Sequence, residues 1–232
     1  MNLHWSTVLV QLIPKLVSGL GIAIEATVFG FLSAFVIALI IALLNLGKNR
    51  VVKGVIWVLL EIIRGTPLLV QLIYAYYVVP AILTGIVRIF SPGHEQIQIP
   101  ALAAGIFAIG LNYGCYMSEV IRSAIESIDR GQTEAALALG YTERRALYRI
   151  ILPQALKISV ANFANYLIII VKDTSLLSYI TISELLLITK SYASQTFLTI
   201  ESYTVLACFY LLISFPLARI VKLIEKKVSK LS

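Results

Sequence analysis

The sequence predicts an all-α, polytopic membrane protein: five transmembrane helices and one helical elbow on the cytoplasmic side. Three observations carry that prediction. The 232 residues are 59% hydrophobic and 13% charged, where soluble domains carry about 25% charge. Mean hydropathy is +0.90. The apolar residues fall into five runs, each near or above the roughly 20 residues that a span needs. One membrane domain over 1–232 accounts for the chain, with no room for a sizeable soluble one.

The first run covers about 16–46, the second 54–83, the third 99–120, the fourth 158–180 and the fifth 203–224. The fourth is interrupted by Lys172 and Asp173. The net charge of +7 reads as basic residues gathered on cytoplasmic loops; no basic groove with interleaved aromatics points to nucleic acid. Lys48, Arg50 and Lys53, then Arg122, Arg130, Arg144, Arg145, Arg149 and Lys157, then Arg219, Lys222, Lys226, Lys227 and Lys230 share one side. The other side holds only Lys15, Arg88 and Lys190. The crowded side is therefore expected inside, with the N-terminus outside and the C-terminus cytoplasmic.

The connections follow the same pattern. Ser91-Pro92-Gly93 is a turn signal in the outer connection after the second run. The stretch 181–200 reads as a short outer helix followed by a polar loop. The first basic side chain is Lys15, so no signal-peptide head is expected. Cys115 and Cys208 sit in separate apolar runs and read as free thiols. With His4 and His94 they make no plausible zinc set, so no metal is expected.

The cytoplasmic stretch 127–153 is the most informative. Gln132 or Thr133 can cap a helix, and Glu134 in its first turn suits the positive dipole end. Ala135, Ala136 and Ala138 give that helix a slim face. Gly140 stands where a left-handed stop is wanted. Thr142 can cap a second helix that runs to an end at Pro153. An amphipathic element lying on anionic lipid through Arg144, Arg145 and Arg149 is the competing reading.

Ionisable groups within spans are expensive and mark function by default. Glu61 and Arg64, three apart, share a face and can pair; Gly65, Thr66 and Pro67 then break or kink the helix. The pair reads either as a structural prop of that kink or as part of a pathway, with Gln71 beyond it the better pathway candidate. Lys172, Asp173, Thr174 and Ser175 form the second polar cluster. Asn162, Asn165 and Lys172 are spaced to share one face, on which amides, Lys172 and Asp173 together suit a zwitterion. A gate that never meets substrate is the alternative. Asn112 and Tyr113 in the third run are candidates for the same cavity.

Glu134-Ala135-Ala136, Gly140 and Ile151-Leu152-Pro153 resemble the EAA loop of ABC-importer permeases. Arg64-Gly65-Thr66-Pro67, Leu152-Pro153-Gln154-Ala155 and Lys172-Asp173-Thr174-Ser175-Leu176 resemble the polar amino-acid branch of type I importers. The resemblance spans about 61–186. It implies a prokaryotic inner-membrane permease that works as a dimer of permease subunits, with two cytoplasmic ATPases and an external amino-acid-binding protein. It also implies that Gly131, Glu134, Ala135, Ala136, Gly140, Leu152 and Pro153 form the ATPase-coupling elbow. The chain has no G-x-x-x-x-G-K-[ST] loop, so ATP and Mg belong to a partner, and no catalytic set of its own is expected. Where the branch often has Gly-Asn before a small, polar or acidic residue, this chain has Ala164-Asn165-Tyr166. Tyr166 supplies no charge for a cationic substrate, which favours a neutral polar or dipolar amino acid such as glutamine or cystine over arginine. Glu25 could still supply a negative charge, although it reads better as an interfacial residue facing the outer water. An ion-gradient-driven secondary transporter is the rival function; the absence of an internal repeat speaks against it.

Overall fold

The computed structural model describes residues 3–47 and 49–229; of the basic residues named above, Lys48 and Lys230 lie outside the described residues, as does the side chain of Lys227. The described chain is helical, and five of its helical stretches are long and apolar enough to cross a membrane.

Helix α1 (Trp5–Leu46) is a single rod of 42 residues, about 63 Å at 1.5 Å per residue. It begins well before the expected start at 16 because Pro14 does not end it. A proline removes one N–H, and the apolar residues around it keep the helix packed. Ala26, Gly30, Ala34, Ala38 and Ala42 recur every fourth residue and are buried. They meet α5 (Ala101–Ser127), whose Gly110 and Gly114 face them. A Cβ on Gly114 would lie 2.7 Å from Ile37 Cγ2 and 3.1 Å from the Ala34 carbonyl oxygen, so the two backbones touch. Small residues in this register are what helices use to pack where lipid removes the hydrophobic drive. Ile109, Met117, Ile121 and Ile170 complete the core around this seam. Glu25 is exposed on α1, away from that core.

The second run is where hydropathy and structure part. Asn49 caps α2 (Arg50–Arg64), which buries Ile56, Leu60 and Ile63 against Ile41 and Cys115. The helix stops at Gly65. After Pro67, α3 (Leu68–Ile73), a π turn (Tyr74–Val78) and α4 (Val79–Phe90) follow without interruption. The membrane-length stretch is therefore Leu68–Phe90, and the expected span 54–83 is corrected. Apolar composition runs across the break, but the hydrogen-bond ladder does not.

α5 outruns its expected end at 120 because Arg122 pairs with Glu119 at 2.9 Å and with Glu126 at 2.7 Å along one helix face. α6 (Arg130–Ala138) is capped by Asp129, whose Oδ1 accepts from Gly131 N at 2.6 Å. Neither Gln132 nor Thr133 caps it, since the helix begins a turn earlier than their positions allow. Thr142 does cap α7 (Glu143–Ala146). A π turn (Leu147–Ile151) then leads into α8 (Leu152–Asp173). The second arm thus does not end at Pro153. Proline is tolerated in the first turn of α8, and the elbow continues as one rod into the fourth span.

At Asp173 the backbone tightens into a 3-10 turn (Thr174–Ile180) that closes on Thr181 with φ +65°. The outer helix expected within 181–200 is present as α9 (Leu185–Thr196). Buried Glu184 caps it, accepting from Leu186 N and Leu187 N at 2.9 Å each and from the Tyr210 hydroxyl at 3.1 Å. α10 (Thr199–Ser229) carries Pro216 within it. Glu201 accepts from His4 N at 2.8 Å, and the Tyr192 hydroxyl donates to Gln11 at 3.0 Å, so the start of α1 is tied to both elements.

Candidate functional site

A cavity of about 560 Å³ opens where the break meets α5 and the end of α8. Arg64, Thr66 and Pro67 line one wall, Asn112, Tyr113 and Tyr116 a second, and Tyr166 with Asp173 a third. Each wall follows from local structure. Pro67 ends α2 and turns the chain. Asn112, Tyr113 and Tyr116 share one face of α5 by helical spacing. Tyr166 and Asp173, seven apart, share one face of α8.

The Tyr113 hydroxyl donates to the Asp173 carboxylate and closes α5 onto α8. The Tyr113 ring meets Tyr166 edge-on with centroids 5.9 Å apart. The Tyr116 hydroxyl reaches the Arg64 carbonyl oxygen at 3.4 Å. Arg64 is loosely held: its closest Glu61 contact is 3.7 Å, with the Glu61 side chain more than half exposed, and its Nε donates to Leu60 O at 3.3 Å. A half-exposed pair at that distance contributes little stability. The cavity thus contains one guanidinium and one carboxylate among aromatic rings and hydroxyls.

The predicted pathway residues divide. Asn112, Tyr113, Tyr166 and Asp173 come together here. Gln71 does not line the cavity; it stands behind the wall, bonded to Asn112. The expected shared face of Asn162, Asn165 and Lys172 does not line this cavity. Asn162 lines an adjoining recess with Ser159 and Glu119, on the far side of Tyr116 and Tyr166, Asn165 Nδ2 donates to Glu225 on α10 at 3.3 Å, and Lys172 is exposed elsewhere. The correction is one of phase. The face entering the cavity lies one residue, about 100°, round the helix from the one expected. Thr174 is buried, donating to Val171 O at 2.7 Å, and Ser175 is half-buried with its carbonyl accepting from Ser178; neither reaches the cavity. Arg64, left open between a structural prop and the pathway, lines the cavity. Tyr116 was missed from sequence, although its place four residues after Asn112 carried a signal.

At the elbow, Gly140 has φ +85°. Gly140 N donates to Leu137 O at 2.9 Å and Tyr141 N to Ala136 O at 3.0 Å, the paired bonds of a Schellman stop. Ala136 is buried, Leu152 half-buried, and Gly131, Glu134, Ala135 and Pro153 are exposed.

Residues 34–230 match the binding-protein-dependent transport system inner membrane component family, and the chain belongs to it. It is 34% identical, over 95% of its length and 90% of the relative's, to a probable amino-acid ABC transporter permease protein of Sinorhizobium fredii. It is 33% identical to the L-cystine transport system permease protein TcyB of Bacillus subtilis, over 97% of this chain and 92% of that one. It is 30% identical to the glutamine transport system permease protein GlnP of Escherichia coli, over 98% and 99%. A crystal structure of an amino acid ABC transporter with histidines superposes with a TM-score of 0.83 and 30% identity, covering 98% of this chain and 100% of that one. The MetNI methionine ABC transporter shares the fold at a TM-score of 0.60 and 18% identity, over 94% of this chain and 98% of that one. The protein is the membrane-spanning subunit of an ABC importer; the ion-gradient alternative is not favoured.

Proposed function

We propose that this chain forms the path for a dipolar, side-chain-neutral amino acid such as glutamine. The observation that carries this is the cavity at the break. Arg64 suits a substrate carboxylate and Asp173 an ammonium, and no third charge remains for a charged side chain. Tyr113, Tyr116 and Tyr166 offer ring faces and hydroxyls to the remainder.

The elbow supports the rest of the reading. Its exposed first arm, with Glu134 and Ala135 outermost, is a compact knob for a groove in a cytoplasmic ATPase dimer, which would hydrolyse ATP with Mg. The rod from α7 through α8 connects that knob directly to Asp173 at the cavity, so a displacement at one end moves the other. The basic-residue bias supports an outside N-terminus and a cytoplasmic C-terminus in a prokaryotic inner membrane. Exposed Lys172 and Asn162 on a membrane-crossing helix are costly against lipid, which supports a second permease subunit, identical or related, covering that side. An external binding protein would deliver the amino acid.

The test is ATP hydrolysis by the lipid-reconstituted complex with the binding protein and a panel of amino acids. Stimulation by a neutral polar amino acid is expected. Stimulation by arginine or lysine alone would overturn the charge argument, and uptake driven by an imposed ion gradient without an ATPase would overturn the importer reading.

A further inference from the structure

Pro67 has no N–H, so the Ile63 carbonyl, four residues earlier, loses the donor that a continuous helix would supply. A backbone carbonyl freed on a buried residue needs a replacement partner, and Ile63 is buried. Gln71 provides it: Nε2 lies 2.7 Å from Ile63 O, 3.0 Å from Thr66 O and 3.0 Å from Thr66 Oγ1. Two carbonyl oxygens can only accept, which fixes the amide orientation. Oε1 therefore faces the other way, and it accepts from Asn112 Nδ2 at 3.1 Å. Asn112 is buried and lines the cavity. One side chain thus joins the loose end of α2 to the α5 wall.

We propose that Gln71 is a positioning residue: its amide replaces the backbone donor missing at Pro67 and holds Asn112 in the substrate cavity, so that the shape of the break and the shape of the binding wall are set together. This rests on the reading of the cavity as the substrate path. Gln71 does not touch the substrate. It acts through Asn112, and the break is thereby braced rather than loose. A leucine or methionine of similar length would fill the space and do neither job. Ile63 O would keep only the long 3.5 Å approach of the Thr66 hydroxyl, which already donates to Ile62 O at 2.8 Å, and Asn112 a buried amide without its acceptor.

The two halves of the role separate by mutation. Gln71→Met removes both. Pro67→Ala returns an N–H to position 67 and can satisfy Ile63, but it does nothing for Asn112. The assay is the reconstituted complex with its ATPase and binding protein, probed with glutamine and cystine. It reads the ratio of stimulated to basal ATP hydrolysis together with the thermal midpoint. In Gln71→Met the ratio is expected to fall about tenfold, the scale for stranding buried polar groups, and the midpoint to drop. Adding Pro67→Ala should recover the midpoint and leave the ratio low. Asn112→Ala should lower the ratio as far as Gln71→Met does, and the double variant no further. Full recovery of the ratio by Pro67→Ala would reduce Gln71 to a structural patch and overturn the proposal. So would additive losses from Gln71→Met and Asn112→Ala, or a wild-type ratio in Gln71→Met. If the wild-type complex shows no stimulation by either amino acid, the fault lies in the functional reading, and the positioning role goes with it.

Discussion

The molecule stops a helix at a glycine in two places and to opposite effect. At the elbow, Gly140 ends α6 within a polar stretch, and Pro153 is carried in the first turn of α8 without a break. At the break, Gly65 and Pro67 divide an apolar stretch. In the elbow, each cap is satisfied by a near neighbour: Asp129 for Gly131, Ala136 for Tyr141, Thr142 for Arg145. At the break, the freed Ile63 carbonyl is met by Gln71, and Gln71 is anchored by Asn112, 41 residues away in sequence. The first interruption makes a self-contained knob that keeps its shape while exposed. The second has a shape only as part of the bundle. A part that docks on another protein gains from the first design, and a part that must change shape around a substrate gains from the second.

The largest effect should come from breaking the self-contained partner. Gly140→Val puts a β-branched side chain at φ +85°, where L residues are disfavoured by roughly 1–2 kcal/mol or more, and strains both Schellman bonds. Membrane insertion should persist, since no span contains Gly140. ATPase retained on the purified permease should fall below about a tenth of wild type, and uptake with it. Glu134→Lys, which leaves the backbone stop intact, should lose coupling through charge alone. Wild-type transport by both variants would remove the elbow from the docking role.

Asp173→Asn probes the bundle-dependent partner. It keeps the side-chain size and the contact with Tyr113 while removing the only carboxylate in the cavity wall. The pair proposed between Asp173 and the substrate ammonium would lose one partner, at a cost of about 2–5 kcal/mol, so amino-acid-stimulated hydrolysis should fall roughly thirtyfold or more, with ATPase still bound. Tyr113→Phe should do less. It leaves the carboxylate in place without its hydroxyl donor, a charge-assisted bond whose lower bound is about 1.5 kcal/mol, and a fall of about tenfold is expected in the same assay. A loss in Tyr113→Phe beside wild-type stimulation in Asp173→Asn would mean that Asp173 serves only to hold Tyr113.

These two regions also differ in how far they were legible in the sequence. The elbow was readable because its determinants are local: a glycine at the stop, a threonine before the second arm and small residues between. What escaped was the cap, which fell to Asp129, and the continuation through Pro153, which depends on α8 packing beyond the proline. The cavity was readable only as a set of expensive polar residues. Their types pointed to Asn112, Tyr113, Tyr166 and Asp173, but spacing along one helix cannot say which neighbouring face meets another helix. That is set by the close approach of α1 and α5 at Gly114 and by Phe163 and Ile170 turning inward. Hydropathy placed the second span too early for the related reason that a broken ladder leaves composition unchanged.

The smallest expected effect sharpens the comparison further. Asn165 lies in the motif region where this chain departs from the branch pattern, and its position in a span marked it as a pathway residue. The structure turns its amide to Glu225 on α10, at 3.3 Å and on an exposed face. A long bond between exposed groups contributes only a few tenths of a kcal/mol. Asn165→Ala should therefore change amino-acid-stimulated hydrolysis by less than about threefold and leave the amino-acid preference untouched, while Tyr166→Glu, one residue on and facing the cavity, should shift preference toward cationic amino acids. If Asn165→Ala instead cuts transport as deeply as Asp173→Asn, the α8 face at Asn162, Asn165 and Lys172 belongs to the path, and the cavity wall assigned to Tyr166 and Asp173 is only part of it.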